Sequence, residues 1–138
     1  SCPAVAEAPM LSESYSASRQ CYEKAGIGPE DIDILELPDN SSWHYLVYLE
    51  TCGFCGEGEA DKMLRDGETK IDGKLPVNPS GGFSSHGEAL SAQALWQVIE
   101  CANQLRGRCG ERQVKDPKVA MAQTYGLMGN SGTTILSI

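Results

Sequence analysis

His86 and Glu88 place an imidazole and a carboxylate two residues apart, and both groups can move protons. A glutamate becomes a useful general base when burial disfavours its charged form and raises its pKa. The same stretch, Ser85-His86-Gly87-Glu88, also fits a capping box, with Ser85 as N-cap and Glu88 at the third helical position. There the helix dipole would hold the carboxylate ionised and make it a poorer base. Base, cap, or both in one residue all fit the pattern, and His86 itself reads as a solvent-facing loop histidine that could join the chemistry. His44, on the opening turn of a helix, reads as a surface or interface residue. Cys52-Gly-Phe-Cys55 has the spacing of a zinc half-site or a redox pair. Structural zinc normally takes four ligands, and no second such pair is present. The six cysteines, Cys2, Cys21, Cys52, Cys55, Cys101 and Cys109, are therefore read as buried or incidental thiols of a reducing compartment, with no metal.

The elements that would position these groups alternate between helix and strand, which favours an α/β architecture. Ser12 or Ser14 can start a helix that runs to Ala25 and stops at Gly26. Residues 32–37 read as a strand. Asn40, Ser41 and Ser42 offer caps for a helix from about Trp43 to Cys52, with Trp43, Leu46, Val47 and Glu50 on its narrow apolar face. A short helical turn is expected around residues 60–64. Asp72-Gly73 suits a type I′ turn, so residues 70–75 read as a hairpin. One long helix should run from about Gly87 to Arg106, with Leu95, Val98, Ile99, Ala102 and Leu105 inward. Strands at residues 118–124 and 133–138 close the chain.

The bulk figures bound the function. A chain of 138 residues, 41% hydrophobic and 22% charged, suits one globular domain spanning residues 1–138. A net charge of −8, without a basic run, argues against nucleic acid as a partner. Arg106, Arg108 and Arg112 follow a helix end, where the dipole favours cations, and are read as structural. No apolar stretch approaches the ~18 residues of a membrane span. No signal peptide is visible, so a soluble, cytoplasmic chain without membrane contact is expected.

The stretch VNPSGGFSSHGEALSAQALWQVIECANQLRGRCGERQV, residues 77–114, resembles the C-terminal half of thiolases, in the sterol-carrier-protein-X and lipid-transfer-like branch. AGIGPEDIDILEL, LETCGFCGEGEA and AMAQTYGLMGNSGTTILSI extend the likeness to roughly residues 14–138. In that branch a Gly-His-Pro triplet occupies the place of Gly87-Glu88-Ala89, and a His-Asp-Cys-Phe motif the place of Pro38-Asp39-Asn40-Ser41. The resemblance implies that Glu88 stands for a catalytic histidine, while Pro38 can do no acid/base work at the other. Asn40 could polarise a thioester carbonyl but could not act as a base. Tyr125 lies on a loop near the family's active site; its phenol could reach substrate, or it could be a partly buried aromatic beside Gly126. Thiolase-like retro-aldolases carry tyrosines at the two histidine positions, which this chain does not.

The implied fold is one lobe of a two-lobe assembly, a mixed β-sheet flanked by helices. The lobe's opening strand is expected to lie centrally in that sheet, and SCPAV is short for it. Neighbouring strands would then expose unpaired backbone groups, so an N-terminal half or partner subunit should complete the lobe in a homo- or hetero-oligomer. The implied activity makes or cleaves a carbon–carbon bond next to an acyl-CoA thioester, in lipid metabolism, with coenzyme A as substrate or product. The alternatives are a non-catalytic subunit that scaffolds an active paralogue and a carrier of acyl-CoA or lipid.

Overall fold

The computed structural model describes residues 13–126 and 130–138. Helix α1, Glu13–Ala25, buries Ser14, Ser18 and Tyr22 at four-residue spacing, which lines one face of a helix. Ser14 Oγ lies 2.7 Å from Thr51 Oγ1, and the Tyr22 hydroxyl donates to the Cys52 carbonyl at 3.0 Å. The helix stops at Gly26 in a left-handed conformation, as its sequence implies.

Strand β1, Ile34–Glu36, runs parallel to β2, Val119–Tyr125, which pairs antiparallel with β3, Ser131–Ser137. Asp33 sets the start of the first ladder, because its carboxylate accepts from Lys118 N at 2.7 Å and Val119 N at 2.9 Å. On the other side of β1, Leu35 forms a parallel bridge with Val77. The sheet is mixed, as expected. It has no central gap: β1, β2 and β3 are direct neighbours. The expectation of strands left unpaired in the middle of the sheet is therefore wrong; among the described residues the unpaired ladder edge is the outer side of β3. The SCPAV segment lies outside the described residues.

The pleat divides the core. Leu35, Leu37 and Met121 point to one side with Tyr22, Tyr48 and Leu49, where α1 and α2, Ser42–Thr51, cover the sheet. Ile34, Ala120 and Ala122 point to the other side, against Cys101 and Leu105 of α5, Gln93–Leu105. Full burial of a side chain such as Leu35 or Ile34 contributes roughly 1.5–3 kcal/mol. The alanines in β2 leave room for α5 to approach the sheet closely.

Several local expectations change. In α2 the buried residues are Tyr48, Leu49 and Thr51; of the expected face Leu46 packs half-buried against the core, Val47 and Glu50 are half-buried, and Trp43 is exposed, so the inward face is only partly the one expected. Helix α3 spans Ala60–Arg65, as the sequence suggests. The hairpin at residues 70–75 is absent. Its backbone bonds run Gly73 N to Lys70 O and Leu75 N to Glu68 O, a compact turn that feeds Val77 into its bridge with β1. The expected long helix starts late: Gly87, with φ of 87°, ends a separate short helix, α4, Gly82–His86, and α5 begins only after a short turn at Leu90–Ala92.

Helix α5 turns only part of the expected face inward: Leu105 is buried and Val98 packs half-buried against the core. Gln93, Gln97, Glu100 and Gln104 are buried, whereas Leu95 and Ile99 face solvent. Gln104 explains part of this. Its Nε2 donates to Glu100 Oε1 at 3.0 Å and Arg112 O at 2.7 Å, and its Oε1 accepts from Val114 N at 2.9 Å. Arg112 in turn pairs with Glu100 at 3.0 Å. The QLRG and GERQV segments thus lock the chain reversal after α5, and Arg112 has a structural role.

Candidate active site

Three segments meet above the strand ends. The first follows β1, where Asp39 and Asn40 precede α2. Ser41 adopts an extended conformation and caps α2 by accepting from His44 N at 3.2 Å. The second is α4 with the break at Gly87, and the third is Tyr125 at the end of β2.

Asp39 joins the first two segments. Its Oδ1 accepts from Phe83 N at 2.6 Å and Ser84 N at 3.4 Å, and Ser84 Oγ donates to the Asp39 carbonyl at 3.1 Å. Asp39 therefore caps the distant helix α4 rather than the α2 that follows it in sequence. Gly82 makes this possible: a Cβ there would lie 2.3 Å from Asp39 Oδ2, and its φ of +69° suits glycine.

With the segments clasped, three of the four sequence candidates form a hydrogen-bonded chain. Asn40 Nδ2 donates to the Tyr125 hydroxyl at 2.6 Å, and that hydroxyl donates to Glu88 Oε1 at 2.6 Å. The chain lies at the surface, with Asn40 and Glu88 exposed and Tyr125 half-buried. Burial holds the Tyr125 phenol above its ordinary pKa, and the bond to Glu88 pushes the same way; contacts from Gln93 and Asn40 pull it down. The phenol therefore keeps its proton near neutrality.

Glu88 is not part of a capping box. Ser85 lies inside α4, no side chain caps the turn at Leu90–Ala92, and Gly87 separates the two. The carboxylate serves Tyr125 instead. His86, the fourth candidate, sits exposed at the end of α4, edge-on to Trp96 at 5.0 Å and Phe83 at 6.3 Å between ring centroids. The described contacts do not bring it into the chain.

His44 does belong there. Its ring stacks on Tyr125 at 5.9 Å and on Tyr48 at 5.8 Å, and its Nδ1 lies 3.1 Å from Ser41 Oγ. Sequence reading placed it at the surface because its contact with Tyr125 bridges distant segments. Only the helical spacing to Tyr48 hinted at an inward ring.

The cysteine pair is not poised for redox work. Burial pushes the Cys52 thiol up to about 12, and burial with Glu50, Glu59 and Glu68 pushes Cys55 up to about 11. A reactive cysteine needs the opposite, a stabilised thiolate. Among the described residues no group of three or more His, Cys, Asp or Glu could hold a metal ion, and no helix is long and apolar enough to cross a membrane.

Residues 4–138 match the family described as thiolase C-terminal domain-like. Rat (Rattus norvegicus) sterol carrier protein 2 is 43% identical over 122 residues, covering 88% of this chain and 22% of the rat protein. An acetyl-CoA acetyltransferase of Methanothermobacter thermautotrophicus is 37% identical over 128 residues, 93% of this chain and 33% of that protein. Among solved structures, an Ltp2-ChsH2(DUF35) aldolase superposes with a TM-score of 0.79 at 30% identity, over 91% of this chain and 32% of that one. The chain thus spans between a fifth and a third of the length of these relatives.

Proposed function

Because the chain belongs to the thiolase C-terminal domain family, we propose that it is the C-terminal part of an enzyme that makes or cleaves a carbon–carbon bond next to an acyl-CoA thioester. An N-terminal thiolase half, in the same polypeptide or a partner subunit, would complete the assembly. The observation that carries this reading is the chain Asn40–Tyr125–Glu88. In the cleavage direction Glu88 is the proton acceptor and Tyr125 its relay. The phenol takes a proton from a substrate hydroxyl as it passes its own to Glu88, and the electrons released by bond cleavage collect on the thioester enolate. Asn40, already donating to the phenol oxygen, can turn the same amide toward the thioester carbonyl, where a positioned donor stabilises developing charge. His44 stacks on the phenol and fixes its approach. Coenzyme A enters as part of the substrate or leaves with the product. His86 stands at the rim against Trp96 and Phe83 and takes no part in this relay.

The test is Glu88→Gln in the intact assembly, assayed with β-hydroxyacyl-CoA and β-ketoacyl-CoA thioesters. Loss of a positioned base should lower kcat by about 100-fold or more, with folding unchanged because the side chain is exposed. Unaltered turnover would sink the proposal. A second reading draws on Pro38, which leaves one family histidine position without a titratable group. In it the lobe scaffolds an active paralogue or binds acyl-CoA or lipid; acyl-CoA binding without turnover would favour it.

A further inference from the structure

The Tyr125 hydroxyl has a third neighbour besides the exposed pair Asn40 and Glu88. Gln93 is the first residue of α5 and is 4% exposed, on the buried stripe that continues through Gln97, Glu100 and Gln104. Its amide makes a hydrogen-bonding contact with the same phenol, of the kind that favours an ionised oxygen, so its N–H end faces Tyr125. The other end agrees: Gln93 Oε1 is buried and has no hydrogen-bond partner among the described residues. Gln104 shows what a structural glutamine looks like in this helix, since its Nε2 and its Oε1 both serve the chain reversal. Buried polar atoms are seldom left unpaired, and an unpaired one detracts from stability. Gln93 is therefore placed for what its N–H end holds, not for the stability of the core.

We infer that Gln93 is the positioning residue that keeps the Tyr125 phenol seated against Glu88 when Asn40 turns away toward the thioester. This role rests on the proposed relay and deepens it. A phenol oxygen has one proton to donate and two lone pairs with which to accept. In the resting site the proton goes to Glu88, while Asn40 and Gln93 take the lone pairs, so a substrate hydroxyl finds no free position on that oxygen. One donor must leave, and the two differ in freedom. Asn40 lies exposed between β1 and α2, whereas Gln93 is carried by a helix packed on the sheet through Cys101 and Leu105. Asn40 vacates its lone pair for substrate and Gln93 stays. The phenol then takes the substrate's proton as it passes its own to Glu88, and the Gln93 N–H holds the oxygen in line throughout.

The test places a fluorotyrosine at position 125 of the intact assembly and follows its titration by fluorine NMR. Fluorination lowers the pKa of a phenol, which brings the titration within reach of a folded protein. Gln93→Met, similar in length and unable to donate, should raise the midpoint. Gln93→Glu should also raise it, because an ionised carboxylate cannot donate and repels the phenolate. Gln93→Met should lower kcat about tenfold or more with little change in KM, while its urea midpoint equals or exceeds that of the wild type. A Tyr125 midpoint unmoved in both variants overturns the inference. So does a kcat within about twofold of wild type for the folded Gln93→Met enzyme. A lower urea midpoint without any change in the Tyr125 titration marks a merely structural residue and overturns it as well. Unaltered turnover of Glu88→Gln overturns the relay itself, and is told apart because the Tyr125 midpoint still rises in Gln93→Met.

Discussion

Glu36→Gln should remove a pH dependence that is built into the sheet. Glu36 is 2% exposed within β1, and its carboxyl accepts from Ser80 N at 3.1 Å and Ser80 Oγ at 2.9 Å. Burial raises it from 4.5 to about 7, with Glu100 and Asp39 adding to the rise and the two Ser80 bonds opposing it. The sign follows from proton binding. Below pH 4.5 the folded and unfolded chains both hold this proton, and between 4.5 and about 7 only the folded chain keeps it. Stability therefore falls as pH rises through that window, by about 1.4 kcal/mol per pH unit, and levels off above it after a loss on the order of 3 kcal/mol. Glutamine fills the same space, can accept from Ser80 N and can donate to Ser80 Oγ, and does not titrate. Urea unfolding from about pH 4.5 to 8.5 should show wild type and variant nearly equal at the acid end. At the alkaline end the variant should lead by roughly 3 kcal/mol, or about 10 °C in Tm. Other titrating groups are shared and cancel in the difference. A difference that stays constant across the range would refute the assignment of this titration to Glu36.

Three further outcomes follow from the same contacts. Tyr125→Phe should cost no more than about 1 kcal/mol in thermal or urea unfolding, because its hydrogen bonds with Asn40 and Glu88 lie at the surface. Steady-state kinetics should nonetheless show a loss of kcat comparable to that of Glu88→Gln. Asp39→Ala removes the cap of α4 and should destabilise the chain by roughly 0.5–2 kcal/mol; faster amide exchange at Phe83 and Ser84 would be the direct sign. Gln104→Ala strands the Val114 amide and the Arg112 carbonyl. Each unsatisfied buried group costs about 1–3 kcal/mol, so urea unfolding should place this variant among the least stable.

What the sequence disclosed was local. The end of α1 at Gly26, the start of α2 at Ser41 and the stretches that became β1, β2 and β3 follow from caps, breakers and β-rich runs within a few residues of each other. What it concealed depended on distant partners. Ser85 and Glu88 have capping-box spacing, but Asp39 already serves α4 and Tyr125 already holds Glu88. The apolar stripe of α5 was legible, yet periodicity alone does not say which layer it faces; here Gln104 and Glu100 turn the polar side toward the chain reversal. The partner of His44 was hidden for the same reason, since its half-buried ring meets Tyr125 across 81 positions of sequence, from 44 to 125. Three of the four candidate site residues nevertheless converged, because Asn40 and Tyr125 follow or end the neighbouring parallel strands β1 and β2, and Asp39 clasps α4, which leads to Glu88.

The outer side of β3 has a consequence for handling the protein. Ser131–Ser137 reads SGTTILS, seven residues with neither charge nor proline, and no described strand pairs with its far side. Charged residues and proline are the usual guards that keep a sheet margin from recruiting another chain. This strand carries neither, so two lobes brought together without their natural neighbours can extend the ladder from one molecule into the next. Aggregation on expressing the lobe alone would then begin at this margin. A lysine at Thr134, an exposed position facing solvent, is the place to install the missing guard.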